Sequence, residues 1–496
     1  MKLLKCCAVG ACLFVFGAES FFAQDFGFDD FSEEEESSAS SVAWSGKGGV
    51  DFRGWIDTKN GYSSFSDIGD NTQMEFQPYL NLGISYSGSF SDFEAKTKLN
   101  KWSVGDFKWD LLDELTARFY AGNWVFEGGK MRLVWGKGDK LHVIDNFNAN
   151  DYTDFLIPDY IDRRIAEPML HIVYNAPTAS NLRIEGVYTP IMTADRFASD
   201  GEWVPYSVTH LTDIVTDVVK YNAGLALANN NTDAVLSLLS FDQDSLYEST
   251  ASFKYGQAGV RVTGTLGKVD VGASYYYGHY KQPSVNLEKY AAAAGNTEAV
   301  EALKTATYEL PSLAYDKLQV FGVEAAAVLW KFNLRGEGAY YMTDDFAGDD
   351  PWVHNNSIAW LAGFDIDLPF SNLNLNIQEI GSVVLKSGEI GESDVDYDSN
   401  GNYTNNRIVI NLSDSYLHEK LTAEIIAIVG IEAKEVMIMP KVSYNVRDGF
   451  NIVLRGAYLH ADDENGEFYN FTAYKDGGTV KTKDKAFVQL GVRYDF

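Results

Sequence analysis

Cysteine is nearly missing from this chain of 496 residues: Cys6, Cys7 and Cys12 are the only three, and none follows them. Beyond residue 12 there is therefore no disulfide framework, no thiolate metal site and no cysteine nucleophile. Proline is scarce as well, at 11 residues, as expected for a chain of many strands. Long apolar runs are lacking after residue 18; the densest, Ile425 to Ile431, is seven residues long and flanked by Glu424 and Glu432, which argues against transmembrane helices. Basic charge is in short supply, with 40 Lys plus Arg against 70 Asp plus Glu and a formal charge of −30, which excludes a general nucleic-acid binder. The seven histidines (142, 171, 210, 279, 354, 418 and 460) form no His-Glu-x-x-His pair, and the chain carries neither a Gly-x-Ser-x-Gly elbow nor a phosphate-cradling glycine loop. No catalytic residue, metal site or cofactor is expected. The only acid and imidazole neighbours to weigh as chemistry are His418 beside Glu419, and His460 with Asp462 and Asp463.

What the chain has is aromatics (29 Tyr, 30 Phe, 10 Trp), 43 Gly and a two-residue period. The last ten residues show the period most plainly. Val488, Leu490, Val492, Tyr494 and Phe496 point to one face, and Gln489, Gly491, Arg493 and Asp495 to the other. A strand with lipid on one side and water on the other needs this alternation, and its backbone must be paired within a closed barrel. The five apolar positions resemble the C-terminal assembly signal of Gram-negative outer-membrane β-barrels. A mean hydropathy of −0.19 is compatible with that class, because a barrel shows only every second residue to lipid.

At the other end Lys2 and Lys5 precede an apolar stretch over residues 6–18 and then small residues, the pattern of a secretory signal removed near Ala23-Gln24. The expected organisation is a signal peptide over 1–23, an acidic disordered leader over 24–41 and an outer-membrane barrel over 42–496. Alternation predicts strands near 42–57, 76–88, 90–102, 113–121, 123–134, 168–175, 181–190, 247–256, 258–266, 268–279, 317–330, 332–343, 357–367, 372–386, 404–417, 420–431, 434–446, 449–460 and 484–496. Boundaries being soft and even numbers preferred, the fold class is all-β, a transmembrane antiparallel barrel of about 16 to 20 strands. Gly267-Lys268, Trp330-Lys331 and Arg447-Asp448-Gly449 supply tight turns. Val262 and Val271 are expected outside, and Thr263 and Ser274 inside. Glu324, Arg335 and Glu337 fall on the polar face, which is a lumen in a barrel and open surface in a soluble sandwich.

Three connections are long. Residues 191–246 carry Val208, Leu211, Ile214, Val215, Val218 and Val219 at helical spacing, then Leu225 to Leu239 interrupted at Asn229 to Asn231, and 281–316 carries alanine-rich helical patterns over Leu287 to Ala294 and Glu298 to Lys304. These are expected to be helical insertions in long loops. Residues 135–167 lack a clean period but are dense in Asp and Asn. If this segment folds inward it makes a pore constriction, with Asp145, Asp151, Asp154, Asp159 and Asp162 facing Arg163 and Arg164 and favouring cations. A surface loop whose aspartates serve turns is the competing reading.

Within this stretch Gly128-Gly129-Lys130-Met131-Arg132-Leu133-Val134-Trp135-Gly136, then Asp145-Asn146-Phe147-Asn148-Ala149-Asn150-Asp151, then Glu167-Pro168-Met169-Leu170, resembles an uncharacterised family of porin-like outer-membrane proteins. Ala149 stands where that family usually has proline. The resemblance implies a pore or uptake channel of unsettled substrate, with no catalytic residue to carry over. The expected function is passive passage of small molecules through the cell outer membrane, hydrophobic ones if the helical connections form an apolar vestibule and cationic ones if the acidic segment folds inward. The partners expected for an exported barrel are outer-membrane lipid, the barrel assembly machinery, periplasmic chaperones and small-molecule solutes, with no nucleic acid. The alternatives are a barrel-type outer-membrane enzyme (lipase or protease) or a surface adhesin; a TonB-dependent transporter would need a long plug before its first strand, whereas alternation begins near Val42.

Overall fold

Tight turns fix the pairing. In a computed structural model that describes residues 41–58, 74–105, 108–155, 160–199, 201, 203–240, 247–284, 315–391 and 394–496, Gly267 adopts φ +68° and Gly449 φ +73°, and Trp330 takes the same left-handed region at +60°. Each closes an antiparallel hairpin at the position its sequence predicts. The expected signal peptide, the leader up to residue 40, the alanine-rich segments of 285–314 and Asp159 lie outside the described residues.

Repetition of such hairpins gives eighteen strands: β1 Ser41–Thr58, β2 Met74–Ser87, β3 Ser91–Leu99, β4 Leu112–Ala121, β5 Trp124–Met131, β6 Glu167–Asn175, β7 Arg183–Thr189, β8 Gln257–Leu266, β9 Val269–His279, β10 Lys317–Leu329, β11 Phe332–Met342, β12 Ser357–Asp367, β13 Asn374–Val384, β14 Thr404–Tyr416, β15 Leu421–Gly430, β16 Val436–Arg447, β17 Phe450–His460 and β18 Asp484–Asp495. Every strand pairs with its chain neighbours, and β18 returns to β1 through Lys47 opposite Asp495 up to Thr58 opposite Asp484. The fold is therefore a closed antiparallel up-and-down barrel with no free edge. Phe496 completes the closure: its N–H donates to Gly46 O at 2.8 Å and its carbonyl accepts from Gly46 N at 2.7 Å. Its ring covers Gly46, where an added Cβ would lie 2.3 Å from Phe496 Cζ.

One predicted strand does not form. Residues 247–256 form no strand and hold a short 3-10 turn, Phe253–Tyr255, because β7 pairs directly with β8 and leaves no edge for them. Outside the barrel wall, α1 Tyr206–Ala228 and α2 Thr232–Leu239 occupy the β7–β8 connection and break at the polar residues 229–231, where Asn230 has φ +54°. A small hairpin, Ala473–Asp476 with Thr479–Thr482, lies in the β17–β18 connection.

The outer surface is apolar where lipid would meet it. Val260, Val262, Val323, Ile425, Val442, Leu454, Val488 and Leu490 are exposed on it, between aromatic groups at two levels. One group includes Trp124 against Tyr174, Trp330 against Phe332, and Tyr494 against Phe496; the other includes Phe52 against Phe76 and Tyr275 against Phe321. Phe321 of β10 and Trp330 in the turn directly after it mark the two levels, nine residues apart. At roughly 3.4 Å per residue and a tilt of about 40° this spans about 23 Å, close to the apolar height of an outer-membrane barrel.

The inside is not an open tube. Tyr276, Val320, Tyr341, Ala359, Leu361, Ile426, Ile428, Met437, Met439 and Leu459 face inward and are buried against Trp135, Leu141, Val143, Ile144, Phe147 and Phe155 of the β5–β6 connection. This explains the apolar run at Ile425 to Ile431: β15 has lipid on one face and packed protein on the other, so the alternation vanishes.

Candidate functional site: an inward-folded segment and the cavity beside it

The segment between β5 and β6 turns into the barrel at Trp135-Gly136. Trp135 is fully buried, edge-on to Phe147 with centroids 5.0 Å apart, and Phe147 in turn meets Tyr276 of β9 at 5.1 Å. Gly136 has φ +131°, and a Cβ there would lie 2.2 Å from His142 Nδ1 and 2.4 Å from Glu337 Oε1. Only glycine suits that position. The carboxylate that crowds it is the anchor of the fold-in: Glu337 Oε1 accepts from Lys137 N and Gly138 N at 2.7 Å each and faces His142 Nδ1 at 2.9 Å, and Oε2 accepts from Val143 N at 2.8 Å.

Further ties follow along the segment. Asp139 is held by Asn376 and by Gln378, whose Nε2 donates to Asp139 O at 2.8 Å. Buried Asn148 accepts from Leu133 N at 2.8 Å and donates to Met131 O and Ile165 O at 3.2 and 2.9 Å. Buried Glu167 accepts from Thr193 N at 2.6 Å and Gln257 Nε2 at 2.9 Å. Phe155 at the far end stacks on Phe471 with centroids 3.9 Å apart and lies 5.6 Å from Trp203, so three connections meet in one aromatic cluster.

The sequence candidates divide accordingly. Asp145 and Arg164 are buried and paired with each other at 2.7 Å, with Arg164 also donating to Asn148 O at 2.7 Å. Arg163, fully buried, donates to Phe155 O at 2.7 Å beneath the rings of Tyr152 and Phe155. These three are internal struts of the segment, so the arrangement in which Arg163 and Arg164 face the aspartates across an opening is not what the structure shows. Asp151, Asp154 and Asp162 do reach an opening. It is a cavity of about 150 Å³ between the segment and one arc of the wall, β18 and β1 to β4, and it lies off the barrel axis.

Five bases and six acids line it. Lys47, Arg53, Lys98 and Arg493 come from the strands and Lys101 from the short helix after β3, while the acids are Asp51, Asp110, Asp113, Asp151, Asp154 and Asp162. Arg53 reaches across to Asp154 with two bonds of 3.0 and 2.8 Å, and Asp51 lies 3.6 Å from the same guanidinium. Arg196 holds Asp151 at 3.0 Å and Asp110 at 2.5 Å, and Arg132 holds Asp113 at 2.5 Å. Burial would raise the Asp151 carboxyl, but Arg196 and the Thr153 donors outweigh it and hold the group below the usual carboxylate range. For Asp154 burial wins over Arg53 and the group is pushed up. Among the described residues, Asp51 Oδ1 and Arg53 Nε are buried without a hydrogen-bond partner.

Sequence reasoning missed Arg53, Lys98 and Asp51 as site residues, although their inward parity on β1 and β3 was available. Glu337 was visible on a polar face, but not as the partner of a segment 194 to 200 residues away. The histidines weighed as chemistry sit elsewhere. His418 lies in the tight turn after β14 with φ +57°, and His460 pairs with Asp484 at 2.8 Å and Asp462 at 3.6 Å rather than with Asp463, which bonds Asn400.

No family model matches the chain, and no curated protein matches it. Solved structures similar to it include OpdQ of Pseudomonas aeruginosa (9% identity, 92% of this chain and 98% of that one, TM-score 0.46), OccK11 (OpdR) of the same organism (10%, 94% and 99%, 0.43) and an anion-selective porin of Comamonas acidovorans (9%, 92% and 100%, 0.37).

Proposed function

We propose that this protein is an outer-membrane channel for passive passage of small polar solutes, with its tight turns on the periplasmic side and its long connections outside. One observation carries this reading: a closed barrel with a lipid-compatible outer face encloses an off-axis cavity lined by charges of both signs. An apolar belt fits lipid, and a charged interior serves solutes that water accompanies. The mixed lining favours hydrophilic solutes over hydrophobic ones. An enzyme reading has less support, because His418 and His460 lie in a tight turn and in a carboxylate pair.

Refolded protein in a planar lipid bilayer should give discrete single-channel currents in KCl, and liposomes containing it should swell in small sugars faster than in large ones. Protein that inserts without conductance or swelling would remove the channel reading and leave an adhesin or a structural barrel.

A further inference from the structure

Most charges around the cavity already have partners. Asp154 is taken by Arg53, Asp151 and Asp110 by Arg196, and Asp113 by Arg132. Two opposite charges are left over on opposing sides. Lys98 extends from β3, where its pairing with Asn81 of β2 sets it on the inward face. Asp162 lies on the inward-folded segment in the short helix Tyr160–Arg163 and is exposed to the opening. Among the described residues neither is in an ion pair, and both line the same cavity. Each lies within electrostatic reach of the pinned ion pairs between them: Lys98 acts on Asp113 and Asp151, and Asp162 on Arg132.

We propose that the cavity binds a small zwitterion, its anionic end at Lys98 and its cationic end at Asp162. This rests on the channel reading and names the solute class that the channel would favour. A simple anion meets Lys98 but also six carboxylates, and a simple cation meets Asp162 but also five bases. A solute with both charges satisfies both unpaired groups without adding net charge to a nearly balanced lining. Asp51 Oδ1, buried on the strand side and without a hydrogen-bond partner among the described residues, offers a further acceptor to the ammonium or to water accompanying it. A volume of about 150 Å³ suits a solute the size of an amino acid rather than a large ligand.

The test is single-channel current in KCl with ω-amino carboxylates added, from glycine to 6-aminohexanoate, against alkylammonium and alkanoate ions of matching length. At least one zwitterion should block saturably, at a concentration about tenfold below either single-charge analogue. Lys98→Gln and Asp162→Asn should each weaken that block about five- to tenfold, the size of one partly screened ion pair, measured against the current that each variant carries without blocker. The exchanged variant Lys98→Asp with Asp162→Lys should recover the block, because a zwitterion can reverse its orientation. Conductance without saturable block, equal block by a single-charge analogue, or indifference to both substitutions would overturn the site alone. No conductance at all would overturn the channel reading and the site with it.

Discussion

At the residue scale the interior depends on a few polar groups that could only be placed by folding. Glu337 is the clearest, because its two oxygens take three backbone N–H groups and face one imidazole from a segment that has no regular structure to satisfy its own donors. Glu337→Gln keeps the volume but removes the charge; with hydrogen bonds to charged groups worth roughly 1.5–3 kcal/mol each, the segment should loosen by about 3 kcal/mol. The readout is single-channel current: conductance and open-channel noise should both rise. Gly136→Ala, strained at φ +131° and obstructed by Glu337, should do the same. Unchanged current in both would mean that the segment does not obstruct the lumen. The Trp135-Gly136 pair stood out only as part of the stretch that resembles porin-like outer-membrane proteins. Their partner was not, since a Glu on the inward face of a strand reads the same whether it meets water or a buried loop.

At the element scale the strands were the most legible part, because a wall with two different solvents writes its period into every strand. Eighteen of the nineteen predicted strands form, and 247–256 misled because Ser, Thr and aromatic residues alternate there without a partner edge. The break between α1 and α2 at 229–231 was equally plain. The register allows a sharp check. Val262 faces outward opposite Ala273, and Thr263 inward opposite Gly272. Arg at Val262 should cost about 2 to 4 kcal/mol near the midplane, and Arg at Thr263 far less, measured by urea unfolding in lipid vesicles. Equal costs would contradict the register. The long connections respond to pH. Burial, reinforced by Glu435 and opposed by Arg407, pushes Glu467 up to about 7, and burial with the Asp396 and Asp345 carboxylates pushes Asp394 up to about 6. For His354 burial acts downward, but the carboxylates of Asp396, Asp316 and Asp394 outweigh it and raise the imidazole. All three groups bind protons more tightly folded than unfolded, so stability here falls as pH rises, from about 4 to 7 for the acids and above about 6.5 for the histidine. Amide exchange over 343–356, 385–403 and 461–472, corrected for intrinsic rates, should be at least about tenfold faster at pH 8 than at pH 5.5. Equal protection at both values would show that these groups do not tie the loops down.

At the scale of the whole molecule, a barrel whose inner wall is apolar toward the long-connection end packs the inward-folded segment against β9 to β17 and has a charged cavity beside that segment along β18 and β1 to β4. Closure of the sheet was legible from the terminal strand and the strand count; the asymmetry of the interior was not, because it depends on which arc the segment leaves uncovered. Asp151, Asp154 and Asp162 reach the opening while Asp145, Arg163 and Arg164 turn into the segment, a division that charge density alone does not contain. The location of the passage is the central claim, and the lack of cysteine after Cys12 makes it directly testable. Single-cysteine variants at Asn81 and Lys98, on the open arc, and at Ala359 and Ala457, on the covered wall, would be treated with a charged methanethiosulfonate reagent during single-channel recording. The predicted result is a stepwise change in current at residues 81 and 98 and none at 359 and 457. Modification at the covered pair with silence at the open pair would place the passage elsewhere and contradict this account.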